Sequence, residues 1–303
     1  MIRLRIRHGS QFSISNTFFR RAHSSTSKWK LLPELPNGKL ATFRREAFAP
    51  SQPALLPRGH FFGLPAMRKW FTQPQDDGIE ASFDLTYLSG YGNAIVPLEF
   101  TRLTSATSVE EAQDSFQRAE APFQIFLEWA KYATMRTPER LYLAQASFAS
   151  LPEALVKDLP TPHLVARAGT GDIYDTNVWM GIAPTYTSLH RDPNPNLFVQ
   201  LAGHKIVRML PPDAGDRVFA RVQSALGKAG SASFRGEEMM KGEEKKILES
   251  EVWDDVPGLS NGIHLGYEAH IWDGDGLFIP IGWWHSIKGV GGGVLGSVNW
   301  WFR

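Results

Sequence analysis

The 303-residue sequence contains no cysteine, which excludes structural disulfides, thiolate metal sites and cysteine nucleophiles together. Any metal must therefore be held by His, Asp or Glu. No uninterrupted apolar run approaches the roughly 20 residues of a membrane-spanning helix, so no membrane insertion is expected. An excess of one charge is also missing: 32 Lys plus Arg against 31 Asp plus Glu leave a net charge of +1, which signals no nucleic-acid or anionic-lipid surface. Acidic residues are absent between Met1 and Pro33, where Arg3, Arg5, Arg7, Arg20, Arg21, Lys28 and Lys30 alternate with apolar residues and serines. That is the composition of a mitochondrial targeting segment, and residues 1–30 are expected to act as one, with Arg21-Ala22-His23 before Ser24-Ser25 as a matrix-protease context. The alternative is a basic tail on a cytoplasmic protein.

What is present is enough apolar content, 43%, to bury one substantial core, and a single domain over 31–303 is expected. Pro33, Pro36, Asn37 and Gly38 make a turn-rich linker, which places the start of the packed core near residue 40. A mixed strand and helix part is expected over 40–175, with short strands at Pro53–Gly59 and Ala94–Phe100. Ser108 and Glu111 form a capping box, and Phe123, Phe126, Leu127 and Ala130 recur at helical spacing, which predicts a helical stretch over 108–133 broken at Pro122. A shorter helix should start at Ser150-Leu151-Pro152-Glu153. From 176 to 303 the pattern is that of strands, at Val178–Ile182, Asn196–Leu201, Lys205–Leu210, Ala269–Trp272, Leu277–Ile281 and Val294–Phe302, joined mostly by short Gly- or Pro-rich links. A polar insertion, read as a solvated helix or loop, interrupts them over 214–261.

The chemistry concentrates in Thr187-Ser188-Leu189-His190-Arg191-Asp192, with His285 far downstream. Side chains two apart on a strand share a face, so His190 and Asp192 can point at one ion. With nine His and 31 acidic residues in 303, about one such pair arises by chance, so the surroundings must carry the reading. His285 follows its own apolar strand and can supply a third ligand. Two imidazoles and one carboxylate on one face leave three positions of an octahedral ion free, the facial arrangement of non-haem Fe(II) oxygenases. Lys205 lies within Lys-Ile-Val-Arg-Met-Leu, where an inward lysine needs a counter-charge. A dicarboxylate would provide it, with Thr187 and Tyr142 as candidate hydroxyl donors.

The blocks Arg140-Leu141-Tyr142-Leu143, Thr187-Ser188-Leu189-His190, Pro211-Pro212-Asp213 and Ile279-Pro280-Ile281-Gly282-Trp283-Trp284-His285 resemble the JmjC-type cupins, Fe(II)- and 2-oxoglutarate-dependent oxygenases, and within them the asparaginyl hydroxylases. The similarity is loose from 45 and close over 177–212 and 267–301. It implies a mainly β fold with flanking α-helices around a double-stranded β-helix, or jelly roll. It further implies iron on His190, Asp192 and His285, the distal carboxylate of 2-oxoglutarate on Lys205, Thr187 and Tyr142, Asn196 and Asn299 near the other end of that co-substrate, and Trp301 over the iron pocket. Helices for dimerisation after the last strand are not expected, because that strand runs to Phe302 beside Arg303. No oligomeric state follows.

The expected reaction consumes dioxygen and 2-oxoglutarate, releases succinate and carbon dioxide, and hydroxylates a protein or peptide side chain. A small molecule or a modified RNA base is the alternative substrate, since the fold does not fix it. A non-catalytic cupin binding module would need neither the full ligand set nor Lys205. Histone lysine demethylation is less expected, given the mitochondrial address and the lack of a chromatin-reading module.

Overall fold

In the computed structural model, residues 28–72, 81–102, 116–134, 136–227, 242–254 and 265–303 are described. The strands are β1 (Trp29–Leu31), β2 (Ala54–Leu55), β3 (Phe71–Thr72), β4 (Ser82–Phe83), β5 (Ile95–Arg102), β6 (Gln117–Pro122), β7 (Glu139–Ser147) and β8 (Ile173–Ile182). They continue with β9 (Thr185–Arg191), β10 (Asn196–Ala202), β11 (His204–Leu210), β12 (Gly266–Ile271), β13 (Gly276–Ile279), β14 (Trp284–Val290) and β15 (Val294–Phe302). The helices are α1 (Leu40–Phe43), α2 (Pro65–Lys69), α3 (Leu85–Leu88), α4 (Phe123–Tyr132), α5 (Glu153–Lys157), α6 (His163–Ala168), α7 (Pro212–Ala225) and α8 (Gly242–Trp253).

Two sheets carry the architecture, one in the order β1-β12-β11-β14-β9 and one in the order β2-β13-β10-β15-β8-β7-β5-β6. All their pairs are antiparallel except β1 with β12. Period-two side-chain alternation decides what each face does. On β15, Val298, Trp300 and Phe302 enter the largest apolar cluster, where Phe43, Trp70, Leu88, Phe126 and Val165 from the N-terminal helical part cover the longer sheet. The intervening Ser297, Asn299 and Trp301 are also buried but turn to the opposite face. A second cluster joins the two sheets, with Val207, Met209 and Ile271 from one and Phe198, Leu277 and Ile279 from the other. This mainly β, helix-flanked arrangement is the jelly roll expected from the sequence.

Three expectations change. The folded part begins before residue 40: Trp29 is buried, its strand pairs in parallel with Gly266–Glu268, and Lys28 Nζ donates to the carbonyls of Glu251 and Asp254 at 3.2 and 2.7 Å. The helix expected over 108–133 starts only at Phe123. Residues 117–122 form a strand paired with β5, an exposed sheet edge whose Gln-Arg-Ala-Glu-Ala-Pro has no apolar periodicity to announce it, and 103–115 lie outside the described residues. The 214–261 stretch is not simply a solvated insertion. Ala214, Val218, Phe219 and Val222 of α7 and Leu248 and Val252 of α8 pack on Leu189, Leu210 and Trp284 of the shorter sheet, so the described part of the stretch is a helix pair with one buried face, and 228–241 and 255–261 lie outside the described residues.

Candidate metal centre and its cavity

The register of β14 on β9 sets His285 directly opposite His190, and their ring centroids lie 4.2 Å apart. Asp192 follows β9 immediately. Its Oδ1 lies 3.8 Å from His190 Nε2 and its Oδ2 3.6 Å from His285 Nε2. The three residues offer ligand atoms that all lie within 4.8 Å of one another, the one such group among the described residues. Each imidazole is oriented by its other nitrogen: His190 Nδ1 meets the carbonyl of Ser188 at 2.8 Å and His285 Nδ1 that of Trp283 at 3.3 Å. Donating Nδ1–H to a carbonyl leaves the Nε2 lone pair free for an ion. Burial, reinforced by neighbouring His190, pulls His285 down to about 4, so at neutral pH it is the uncharged imidazole that a metal requires. Asp192 is buried too, and its Oδ2 accepts from Asn196 Nδ2 at 2.7 Å. A buried carboxylate beside two imidazoles is a donor set that a divalent cation completes.

On β11, Lys205 is only 3% exposed. Its Nζ crosses between the sheets to donate to Ser297 Oγ at 2.8 Å and to Tyr142 Oη at 3.5 Å, above the Phe198 ring. Burial pulls the ammonium down to about 7 and raises the Tyr142 phenol, which is therefore a proton donor. Among the described residues no carboxylate pairs with Lys205. Nearby, Asn196 Oδ1, Asn299 Nδ2 and Trp301 Nε1 are buried without hydrogen-bond partners. A desolvated cation and the two unfilled donors, Asn299 Nδ2 and Trp301 Nε1, beside the three metal-type ligands fit a small oxygen-rich dianion.

His190, Asp192, Tyr142, Thr187 and Trp301 all line one cavity of about 930 Å³, within the size range of small-molecule sites. His285 and Lys205 are not in its lining, and the residues expected around them fall into two sets. Thr187, Tyr142 and Trp301 border the cavity. Asn196 and Asn299 stand behind it, Asn196 against the Asp192 carboxylate and Asn299 Oδ1 accepting from Trp179 Nε1 at 2.7 Å. Ser297, which holds Lys205, was legible only as the third member of the alternating row Ser297, Asn299, Trp301. Asp175, Asn177 and Trp179 of β8, which also line the cavity, form a similar alternation inside an apolar strand.

Comparison with known proteins agrees with this geometry. The pattern of the cupin-like domain matches residues 40–303. Lysine-specific demethylase JMJ30 of Arabidopsis thaliana is 24% identical over 264 residues, 87% of this chain and 52% of the relative. Jumonji C domain-containing protein 5 of Drosophila melanogaster is 26% identical over 278 residues, 90% of this chain and 60% of the relative. Lysine-specific demethylase 8 of Xenopus tropicalis is 27% identical over 163 residues, 53% of this chain and 32% of the relative. The chain thus spans between a third and three-fifths of the length of these relatives.

Proposed function

The chain belongs to the cupin-like domain family, of the JmjC type, and from that membership we propose that it is an Fe(II)- and 2-oxoglutarate-dependent dioxygenase that hydroxylates a protein or peptide side chain. The observation that carries the proposal is the pairing of two features in one fold: a His190–Asp192–His285 cluster within 4.8 Å and a buried lysine, 3% exposed, with no carboxylate partner among the described residues. When bound, the iron and the 2-oxo acid supply the oxidation, in which dioxygen puts one oxygen atom into a substrate C–H bond and the other into succinate, with release of carbon dioxide.

The chain's own residues supply position. His190, Asp192 and His285 would hold the iron from one side. Asn196 fixes the Asp192 carboxylate through its Nδ2 hydrogen bond, and the backbone carbonyls of Ser188 and Trp283 fix the two rings. Lys205, steadied by Ser297 and Tyr142, would take the distal carboxylate in a charge-assisted contact that its desolvated setting strengthens. The indole of Trp301 walls the cavity and restricts water there.

Two of the three relatives described above carry the words lysine-specific demethylase in their names, which supports a polypeptide substrate. Demethylation and stable hydroxylation share the same insertion into a C–H bond. They separate afterwards, because a hydroxylated N-methyl group falls away as formaldehyde. We further propose that residues 1–30 direct the chain to mitochondria, on the strength of their basic, acid-free composition.

Purified protein given Fe(II), 2-oxoglutarate, ascorbate and air should form succinate without added substrate, as read by NMR, and His190→Ala should abolish it. Equal turnover in that variant would remove the catalytic assignment. Formaldehyde released from a methylated peptide would favour demethylation over stable hydroxylation.

A further inference from the structure

We propose that Trp253 of α8 and Ser286 of β14 are positioning residues for the co-substrate, through a hydrogen-bond chain that holds the bulge by which Thr187 and His190 reach the same cavity. This role presupposes the reading of the chain as a 2-oxoglutarate-dependent oxygenase.

On a regular strand, side chains three apart point to opposite faces. Thr187 and His190 are three apart on β9, yet both line the cavity. The register explains how: His285 pairs with His190 and Ile287 with Thr187, so the single residue Ser286 of β14 stands opposite two, Ser188 and Leu189. That is a β-bulge, in which one extra residue re-aims the side chains beyond it. Leu189 turns away into the cluster with α7 and α8, and the Ser188 carbonyl meets His190 Nδ1 at 2.8 Å. The bulge therefore sets how the Thr187 hydroxyl lies relative to the metal ligand of the same strand.

An irregular ladder depends on side chains to hold its backbone groups. Ser286 is 0% exposed, and its Oγ donates across the bulge to the Thr187 carbonyl at 2.8 Å. The same oxygen accepts from Trp253 Nε1 at 2.9 Å. An indole N–H can only donate, so Ser286 accepts there and keeps its one hydroxyl hydrogen for Thr187. Trp253 is itself clamped, with the Arg208 guanidinium 4.7 Å and the Lys288 ammonium 4.9 Å from its ring. Arg208 also donates to the neighbouring Val252 carbonyl at 2.8 Å.

Lys245, Glu249 and Trp253 recur every four residues and form one stripe of α8. Lys245 lies over the Tyr186 ring, Glu249 pairs with Lys288 at 2.8 Å, and Trp253 reaches Ser286. The first two also line the cavity. The helix thus runs from the cavity wall to the strand that carries His285, and its last residue acts on Thr187 through Ser286.

The test is calorimetric titration of the full chain with Mn(II) and then 2-oxoglutarate, in the wild type, Ser286→Ala, Trp253→Phe and the double variant, each checked for folding by near-UV circular dichroism. Ser286→Ala should weaken 2-oxoglutarate binding to the metal-loaded chain by about threefold to tenfold, Trp253→Phe by less, and the double variant by no more than Ser286→Ala, because the two residues act along one chain. In succinate formation these variants should raise the KM for 2-oxoglutarate and leave kcat little changed. Leu248→Ala is the structural control: it opens a gap in the α8 core without touching the hydrogen-bond chain, and should lower the urea midpoint at unchanged 2-oxoglutarate affinity. Wild-type affinity in a folded Ser286→Ala or Trp253→Phe, additive losses in the double variant, or an equal loss in Leu248→Ala overturns the positioning role. Where Ser286→Ala does not fold, Trp253→Phe decides alone. A wild-type chain that binds neither Mn(II) nor 2-oxoglutarate removes the oxygenase reading and this role with it, whereas equally tight binding by the wild type and a folded Ser286→Ala removes only the role.

Discussion

Lys205 shows how a single residue ties stability to function. Burial lowers it to about 7 from the ordinary 10.5, so between those values the unfolded chain binds more protons than the folded one. Stability must then rise with pH across that window, and below pH 7 the whole cost of burying the ammonium is present. Lys205→Met removes the charge and keeps most of the volume. The ligand-free variant should melt a few degrees higher than the wild-type chain at pH 7, a gain of about 1–4 kcal/mol, and should lose the rise in stability between pH 7 and 10.5. Added 2-oxoglutarate should raise the melting temperature of the metal-loaded wild-type chain but not of the variant. A variant that melts lower, or that still responds to 2-oxoglutarate, would show that Lys205 is not waiting for an anion. The same lysine was legible in the sequence because a cation turned inward from a largely apolar strand implies a missing counter-charge. Ser297 and Asn177 were not, because short polar residues in a strand are ordinary until their neighbours are known.

At the scale of elements, what was legible followed periodicity. The strands that carry Asn196, Lys205 and Asn299 were readable because both of their faces are buried, which leaves long apolar runs. The strand bearing His285 has no strand signature in the sequence: Trp284-His285-Ser286-Ile287-Lys288-Gly289-Val290 lacks an apolar run, since its polar members meet the metal cluster and α8. The exposed edge β6 gave no signal at all. β1 was obscured differently, because its three residues sit at the end of a basic segment that reads as a leader. Its packing makes a definite demand. Trp29 is 3% exposed and lies beneath the Arg208 guanidinium, which is itself anchored on Glu268 at 2.8 Å. A chain beginning at residue 24 should keep full stability, whereas one beginning at residue 33 should lose at least about 1.5–3 kcal/mol from the tryptophan alone, as read by urea denaturation. Equal midpoints for the two would mean that β1 is not part of the folded unit.

For the whole molecule, the two sheets do different work that meets at one place. The shorter one brings His190, His285 and Lys205, and the longer one brings Asn196, Asn299, Trp301, Tyr142 and the cavity-lining Asp175 and Asn177. The helices lie outside, the N-terminal set on the longer sheet and α7 with α8 on the shorter. The basic N-terminal segment poses a separate question of address. A fluorescent fusion of residues 1–30 should enter mitochondria, and a cytosolic signal would contradict the proposed import. The central claim, that three side chains grip one divalent ion and leave room for 2-oxoglutarate, is tested most directly by calorimetric titration of the metal-free chain with Mn(II) under nitrogen, followed by 2-oxoglutarate. One ion per chain is predicted, with 2-oxoglutarate binding only after the metal and both events lost in His190→Ala and His285→Ala. Stoichiometric metal binding that survives in both variants would contradict the account.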